Sequence, residues 1–292
     1  MRISRFQLWS FAVALFLFCS APSFAQVQTG TPPFGSYSGG PDIINLGNLN
    51  AHLTVPIVQK AGRGTNFTYY LNLDSSVWYP VGSSGSQSWT INGLQVPGQF
   101  GSSAGHVYSA AVRVECNNPE YPPALPKMIP GFYFDNYHYV DVYGVSHSFN
   151  ITYENDACQN TGPQQAVATD GSGYTLSIDV NGNATVTPKT GGVWIPATAS
   201  GTGAASMTDA NGNQITESSS GVITDTLGTT ALTIAGSSPT TFTYTAPNGP
   251  ASYTATYTSK TVRTNFGCSG ISEFGPTAES LLTSITLPDG TA

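Results

Sequence analysis

The segment Pro41–Ser76, PDIINLGNLNAHLTVPIVQKAGRGTNFTYYLNLDSS, indicates the fold of this chain more clearly than any other stretch. Two runs within it have strand composition. Leu53–Gln59 is apolar and β-branched, and Asn66–Leu73 alternates and is rich in aromatic residues. The connector between them contains Gly62 and Gly64, which tolerate positive φ angles and so allow the chain to reverse. The segment therefore predicts two strands paired in a long hairpin.

The remainder of the chain shows the same organisation. Apolar residues occur in short alternating runs between clusters of Gly, Pro, Asn and Asp, and after the first 25 residues no long stretch has helical periodicity. The predicted fold class is all-β, with antiparallel hairpins in one or two β-sandwich or shell-like sheets and an N-terminal signal helix. Five prolines in residues 117–136 predict a loop laid across a sheet, because proline lacks the backbone donor that a central strand requires.

Four Asp-x-x-Gly elements predict hairpin turns in the second half of the chain. In each, the Asp side chain can accept backbone N–H groups two or three residues ahead, and the Gly supplies the left-handed residue that closes the hairpin. Each element separates two strand-like runs. The four elements are Asp141–Gly144, Asp179–Gly182, Asp209–Gly212 and Asp225–Gly228.

These features resemble the Rhs/YD-repeat family of large exported proteins. The opening segment has the family's order of elements: Gly47-Asn48-Leu49, a strand containing Pro56, the turn Gly62-Arg63-Gly64, and a second strand ending Leu73-Asp74-Ser75-Ser76, where the family has Tyr-Asn in place of Leu-Asp. The Asp-x-x-Gly turns are similar to the family's Tyr-Asp-x-x-Gly turns but lack the Tyr-Asp pair. The resemblance implies the first part of a β-rich shell, built with further YD-repeat segments around a C-terminal cargo.

The first 25 residues have the pattern of a secretory signal peptide. Arg2 and Arg5 precede the apolar run Leu8–Phe18, and Ser23-Phe24-Ala25 places small residues at the cleavage positions before Gln26. The apolar run is shorter than the ~20 residues that span a bilayer. The sequence therefore predicts a protein that is secreted or held at the cell surface.

After the signal peptide the sequence predicts a flexible leader at residues 26–40, an N-terminal β domain at 41–160 and degenerate YD-like hairpins at 161–292. The chain stops at the turn Pro288-Asp289-Gly290 with no return strand, so we expect further repeat segments beyond it. Charged residues make up 9% of the chain, against about 25% in average soluble domains, and the formal net charge is −7. This composition predicts no nucleic-acid partner and no membrane association after signal cleavage, since both require a basic surface.

Three cysteines remain after signal cleavage: Cys116, Cys158 and Cys268. In an oxidising compartment two of them are expected to pair. Cys116 and Cys158 are closer to each other in sequence than either is to Cys268, so we predict a Cys116–Cys158 disulfide and a free thiol at Cys268. The three are too widely spaced for a zinc site.

The sequence predicts no catalytic, cofactor-binding or metal site. Gly101–Gly105 matches the G-x-S-x-G pattern of a nucleophile elbow, but a strand-like segment follows where the elbow needs a helix. His138 and His147 fall in neighbouring predicted strands without a carboxylate at suitable spacing, and isolated strand histidines are usually structural. The Asp-x-Asn-Gly-Asn strings at Asp179 and Asp209 lack the carboxylate that a calcium loop has at its twelfth position.

The predicted function is a non-catalytic exported scaffold, the N-terminal segment of an Rhs/YD-repeat-like shell or cell-surface protein. The alternative is a secreted carbohydrate-binding or adhesive β-sandwich, in which aromatic residues from Trp78–Tyr79 or Phe132–Tyr137 form a sugar platform. A secreted hydrolase is the third candidate, and it requires two carboxylates about 5–10 Å apart or a serine–histidine pair.

Overall fold

The computed structural model describes residues 36–38, 42–46, 49–83, 85–91, 99–100, 103–117, 128–154, 161–197 and 203–292. Within these ranges the chain folds into β-strands joined by turns, in four sheets. The predicted all-β class is therefore confirmed, while the predicted signal helix lies outside the described residues. No helix in these ranges has the length and apolar character needed to span a membrane.

The strands are short in most of the chain and longest in the hairpins that build the sheet edges. In chain order they are β1 (Ser36–Ser38), β2 (Asp42–Asn45), β3 (Ala51–Lys60), β4 (Phe67–Asp74), β5 (Trp78–Ser83), β6 (Ser86–Ile91), β7 (Gln99–Phe100), β8 (His106–Asn117), β9 (Met128–Val140), β10 (Ser146–Phe149), β11 (Tyr153–Glu154), β12 (Gln164–Val167), β13 (Thr175–Ile178), β14 (Ala184–Thr187), β15 (Val193–Ile195), β16 (Ala205–Thr208), β17 (Gln214–Glu217), β18 (Val222–Thr224), β19 (Thr230–Ala235), β20 (Thr240–Ala246), β21 (Gly249–Val262), β22 (Ile271–Ser272) and β23 (Thr277–Thr286).

One large sheet organises the molecule. The strands β12 to β21, followed by β23, pair with their neighbours in an eleven-stranded antiparallel meander. A second sheet contains β1, β2, β3, β4 and β7 in that order, and in a third, β8, β10 and β11 all pair with β9. The fourth sheet is the β5–β6 hairpin, to which β22 adds in parallel.

The predicted opening hairpin is confirmed, since β3 and β4 pair antiparallel along their length. A β-bulge between Pro56 and Val58 accommodates the proline, which cannot donate to the ladder. In the turn, Gly64 adopts the positive φ (+74°) expected of it. Gly62 does not have a positive φ. Glycine is required there for space, because a Cβ atom would lie 2.3 Å from the backbone oxygen of Thr65.

All four Asp-x-x-Gly elements form the predicted hairpin turns with one shared geometry. The Gly N–H donates to the backbone oxygen of the Asp at 2.9–3.0 Å, and the Gly has φ between +75° and +82°. The aspartate Oδ1 accepts the backbone N–H groups two and four residues ahead at 2.8–3.0 Å. The aspartate bonds to the N–H group of the fourth residue ahead and not to that of the third. The reason is that the left-handed Gly turns the N–H of the residue after it toward the carboxylate.

Two further hairpins have this backbone geometry without an aspartate. The N–H of Gly221 donates to the backbone oxygen of Ser218 at 3.0 Å, and that of Gly191 donates to Pro188 at 2.9 Å. In the first of these turns the Ser218 hydroxyl accepts the N–H of Val222 at 3.1 Å and takes the place of the carboxylate. The Asp-x-x-Gly pattern missed both turns because the glycine, not the aspartate, determines the backbone conformation.

The glycine requirement can be tested at Gly212, where the space around a Cβ position is open and φ is +82°. Gly212→Ala is expected to lower the free energy of unfolding by about 1 kcal/mol, since the left-handed conformation is strained for alanine. Gly212→Asn is expected to lose less stability than Gly212→Ala, because asparagine tolerates the left-handed conformation. Urea denaturation measures both values, and an alanine variant as stable as the wild type would show that the turn does not need a left-handed residue.

The predicted loop at residues 117–136 is wrong for its second half. Residues 128–136 belong to β9, and Pro130 lies opposite Glu115 of β8. The strands β10 and β11 join the other side of β9 only from Tyr133 onward. Among the described residues β9 therefore has one partner strand at Pro130, and a proline is tolerated at a position that need not donate to a second strand. Residues 118–127 lie outside the described ranges.

The eleven-stranded meander forms one wall of two hydrophobic cores. In the first core, strands β12–β15 pack against β8–β11. In the second core, strands from β17 to β21 pack against β3 and β4. The buried members of the first core are Val107, Tyr137, Tyr139, Phe149, Ile151, Tyr153, Ala168, Leu176, Ile178 and Val186. Those of the second are Val58, Phe67, Tyr69, Ile215, Ile223, Ala231, Leu232, Phe242 and Ala255.

The β3–β4 hairpin tip is anchored on two of the Asp-x-x-Gly turns. Lys60 Nζ lies 2.7 Å from Oδ2 of Asp225, and the Thr65 hydroxyl donates to Oδ2 of Asp209 at 3.2 Å. The backbone N–H of Arg63 donates to the hydroxyl of Thr226 at 2.6 Å. The aspartates therefore close their own turns and also hold a distant hairpin in place.

Candidate functional site

A cleft of about 560 Å³ opens where three of the sheets meet. We call it the junction cleft. Its walls come from β2 and β3, from the β9–β10 turn, from the segment preceding β13, and from the β14–β15 turn with β15. The side chains that matter for its chemistry are His52, Thr54, Tyr143, His147, Tyr174 and Trp194.

His147 lies between two carboxylates at the base of this cleft. Its Nδ1 is 2.6 Å from Oδ2 of Asp170, and its Nε2 is 3.4 Å from Oδ2 of Asp141. Burial alone would lower the pKa of the imidazole, but the hydrogen bonds and negative charge of the two aspartates raise the pKa of His147 to about 9. At neutral pH the side chain is therefore an imidazolium held in a buried ion pair.

The two aspartates are themselves held by local hydrogen bonds. Asp141 Oδ1 accepts the backbone N–H groups of Tyr143 and Val145, as in the other turns. Asp170 Oδ1 accepts the N–H and the hydroxyl of Ser172. Burial raises the pKa of Asp170, but the bonds from His147 and Ser172 outweigh it and lower the pKa to about 2. The His147–Asp170 pair is therefore ionised at physiological pH, and Asp141 is held in place by its own turn.

Aromatic rings surround the imidazolium. The His147 ring centroid lies 4.6 Å from that of Tyr174 and 6.0 Å from that of Tyr139, which stacks on it at an interplanar angle of 23°. Trp194 lies against Tyr174, with centroids 5.6 Å apart. These contacts place the cation over aromatic faces, an arrangement that stabilises it further.

A second buried histidine, His52, lines the same cleft from β3. Its Nδ1 is 3.0 Å from Oδ1 of Asp74, and its Nε2 is 2.8 Å from the hydroxyl of Thr54. The Asn50 amide also donates to Asp74. Asp74 is the residue that stands where the Rhs/YD-like pattern has asparagine, and the structure shows that its carboxylate bonds to a histidine.

The prediction that His147 has no carboxylate at suitable spacing is wrong. The contact between His147 and Asp141 could have been predicted from the sequence, because the β9–β10 hairpin places β10 beside Asp141, the first residue of its turn. Asp170 gave no sequence signal, because it reaches His147 only through the packing of the segment between β12 and β13 onto β10. The prediction that His138 and His147 lie in neighbouring strands is confirmed by the β9–β10 pairing.

The chemistry available to these histidines is limited, because both ring nitrogens of His52 and of His147 already have partners. Neither imidazole presents a free nitrogen to the cleft, so neither is placed as a general base toward a molecule bound there. Among the described residues no group of three His, Cys, Asp or Glu side chains has the geometry of a metal site.

The serine of the G-x-S-x-G match, Ser103, precedes β8 and is buried. Its backbone N–H donates to Glu217 Oε2 at 2.9 Å. The Ser103 hydroxyl and His106 Nε2 are buried and have no hydrogen-bond partner in the described part of the chain. Burial lowers the pKa of His106 to about 4, so it is neutral at pH 7. These two residues do not form the hydrogen bond of a nucleophile and its base.

The predicted sugar platforms are placed apart from the junction cleft. Trp78 packs against Phe274, with ring centroids 5.1 Å apart. In the second platform Phe132 is exposed, whereas Tyr137 is buried in the first core. Phe134 and Tyr137 line a different cleft of about 600 Å³. Phe132 and Tyr137 therefore do not share one exposed platform.

The predicted Cys116–Cys158 disulfide stays a prediction, because Cys158 lies outside the described residues. Cys268 is exposed and is a free thiol.

The fold and site define an all-β protein with an aromatic cleft over a buried histidine–aspartate cluster. Comparison of the chain with protein-family models, with curated proteins and with solved structures gives no match.

Proposed function

We propose that the chain is a non-catalytic exported scaffold, the N-terminal segment of an Rhs/YD-repeat-like shell or cell-surface protein. The observation that carries the proposal is the eleven-stranded meander, in which glycine-closed turns of one repeated design join β13 to β14, β14 to β15, β16 to β17, β17 to β18 and β18 to β19. A sheet of this kind can be extended by adding hairpins to its edge, and each hairpin requires only a turn and two strands that have one apolar and one polar face. The strands already in the sheet keep their pairing when a hairpin is added.

The edge available for extension is β23, which pairs only with β21 among the described residues. A free edge of ten residues is a template for pairing with another strand. In the proposed shell, the next repeat segment of a longer chain occupies it. The occupied ring nitrogens of His52 and His147 support a structural rather than a catalytic role for the buried polar cluster.

Two measurements test the proposal. Expression with residues 1–25 in a secretion-competent host is expected to yield an exported protein whose first residue is Gln26, by N-terminal sequencing. The genomic DNA after codon 292 is expected to encode more strands joined by Tyr-Asp-x-x-Gly turns. Retention in the cytosol with residues 1–25 intact would refute export, and a stop codon followed by unrelated sequence would refute the shell.

The junction cleft favours the second function, a secreted carbohydrate-binding protein. A scaffold does not need an open cleft lined by partly exposed aromatic rings, and a sugar-binding protein does. This observation does not conflict with a structural role, since cell-surface scaffolds can also adhere to a polysaccharide.

A further inference from the structure

We propose that the junction cleft binds a neutral saccharide unit, with the ring of Tyr143 as its principal stacking surface. The proposal does not depend on the scaffold function, and it places the sugar site elsewhere than either platform predicted from the sequence. It rests on three properties of the cleft: its aromatic surface, its charge balance and its hydroxyl groups.

The aromatic surface is accessible on one side of the cleft. Tyr143 is 48% exposed although it packs against Tyr70, with ring centroids 5.1 Å apart and the ring planes tilted by 51°. Tyr174 and Trp194 are half-buried and line the deeper wall. The apolar C–H face of a pyranose ring can lie on such an aromatic face, which removes apolar surface of both partners from water.

The carboxylate of Asp74, behind His52, is held by bonds from His52 and Asn50. At the His147 end of the cleft the charges cancel, since Asp141 and Asp170 carry two negative charges and His147 with Lys189 carries two positive ones. Three of these four residues line the cleft, while Asp170 lies directly behind His147 and bonds to it. An anion or a cation would therefore find no net charge of opposite sign, whereas an uncharged ligand faces no electrostatic penalty.

Hydroxyl groups and an ammonium group complete the lining. Thr54, Ser172 and Thr190 line the walls together with the exposed Lys189. Thr54 bonds to His52 and Ser172 to Asp170, and a wholly apolar ligand would remove water from the remaining hydrogen-bonding capacity of these groups at a cost. A polyhydroxylated ligand can bond to them along the edge of its ring. The size of the cleft, about 560 Å³, lies within the range of small-molecule sites.

The walls of the cleft are held in place before any ligand binds. The His147 cluster fixes the base, and the Asp141 turn fixes the backbone that carries Tyr143. The amide of Asn72 donates to the backbone oxygen of Val142 at 3.1 Å, which ties this turn to β4. A preorganised site of this kind loses little entropy on binding.

The experiment uses the exported protein on an array of neutral and charged glycans, followed by titration of the best neutral ligand by isothermal calorimetry. Tyr143→Ala is expected to weaken binding about tenfold, since the ring would be lost as a stacking surface. Lys189→Ala, which changes only an exposed side chain, is expected to weaken binding less. The matched control is Phe132→Ala, which removes an equally exposed ring (47%) from β9 and is expected to bind like the wild type.

Three outcomes would overturn the proposal. One is the absence of saturable binding to any neutral glycan on the array and to millimolar monosaccharides in solution. Another is binding only to acidic glycans, which would show that charge rather than stacking selects the ligand. The third is binding lost in Phe132→Ala and kept in Tyr143→Ala, which would place the site on the other surface. Circular dichroism and thermal melting show whether each variant is folded, and export is measured separately.

Discussion

Replacement of Asp225 by alanine is expected to lower the free energy of unfolding by about 3 kcal/mol, because donors around a buried carboxylate lose a charged acceptor. The Asp225 side chain is 1% exposed, and its Oδ2 lies 2.7 Å from Nζ of Lys60, whose side chain is 34% exposed. Its Oδ1 also accepts the backbone N–H groups of Leu227 and Thr229. In the variant these two N–H groups lose their carboxylate acceptor, while Lys60 keeps the Thr229 hydroxyl and the Thr230 carbonyl as acceptors.

The matched control is Asp179→Ala, because the Asp179 turn has the same backbone geometry but its exposed carboxylate bonds to Asn181 and Asn183 of its own turn. Its loss of stability is expected to be much smaller. Urea denaturation of the two variants and the wild type measures the difference, with an unchanged m-value as the sign that the unfolded state is unaffected. Equal losses would show that turn closure, not the bond to Lys60, accounts for the role of Asp225. Adding Lys60→Met to Asp225→Ala is expected to recover part of the loss.

The stability of the wild type is expected to fall by about 2.5 kcal/mol between pH 6.5 and pH 9 through His147 alone. The folded-state pKa of His147 is about 9, above the value of about 6.5 in an unfolded chain. A group with a raised folded-state pKa contributes its full stability below the unfolded value and loses it as the pH rises through the folded one. The alkaline decline should therefore be absent, or nearly so, in His147→Gln.

The control for this experiment is His106→Gln. Burial lowers the folded-state pKa of His106 to about 4, so its contribution is present above pH 6.5 and is lost as the pH falls toward 4. We expect His106→Gln to keep the wild-type alkaline decline and to lessen the acid one. Chemical denaturation at half-unit pH intervals separates the alkaline decline in stability from the acid decline. An alkaline decline in His147→Gln equal to that of the wild type would rule out a charged His147 in the folded state.

Local structure in this chain could be predicted from the sequence to a large extent. The β3–β4 hairpin and the four aspartate turns agree with the structure. Each depends on neighbouring residues, because the alternation of apolar and polar residues sets a strand and a left-handed glycine sets a turn.

The candidate site could not be predicted in this way. Its parts come from β3, the β9–β10 turn, the segment before β13, and β15, which are separated by many residues. The pairing of His147 with Asp170 arises from how sheets pack on one another, whereas His52 and Asp74 lie opposite each other in the register of the predicted β3–β4 hairpin. The course of β9 through Pro130 resembles the first case, because only the sheet order shows that the strand has a single neighbour there among the described residues.

The sequence by itself determined the class of structure: an all-β chain of short two-faced strands joined by glycine-closed turns. The tertiary structure decided which strands share a wall, which aspartate meets which cation, and where aromatic rings remain accessible in a cleft. The physical reason is the distance along the chain over which each kind of interaction acts. Backbone conformation and alternation act between residues next to one another, whereas burial, ion pairing and the shape of a cleft depend on surfaces that meet only after the sheets have packed.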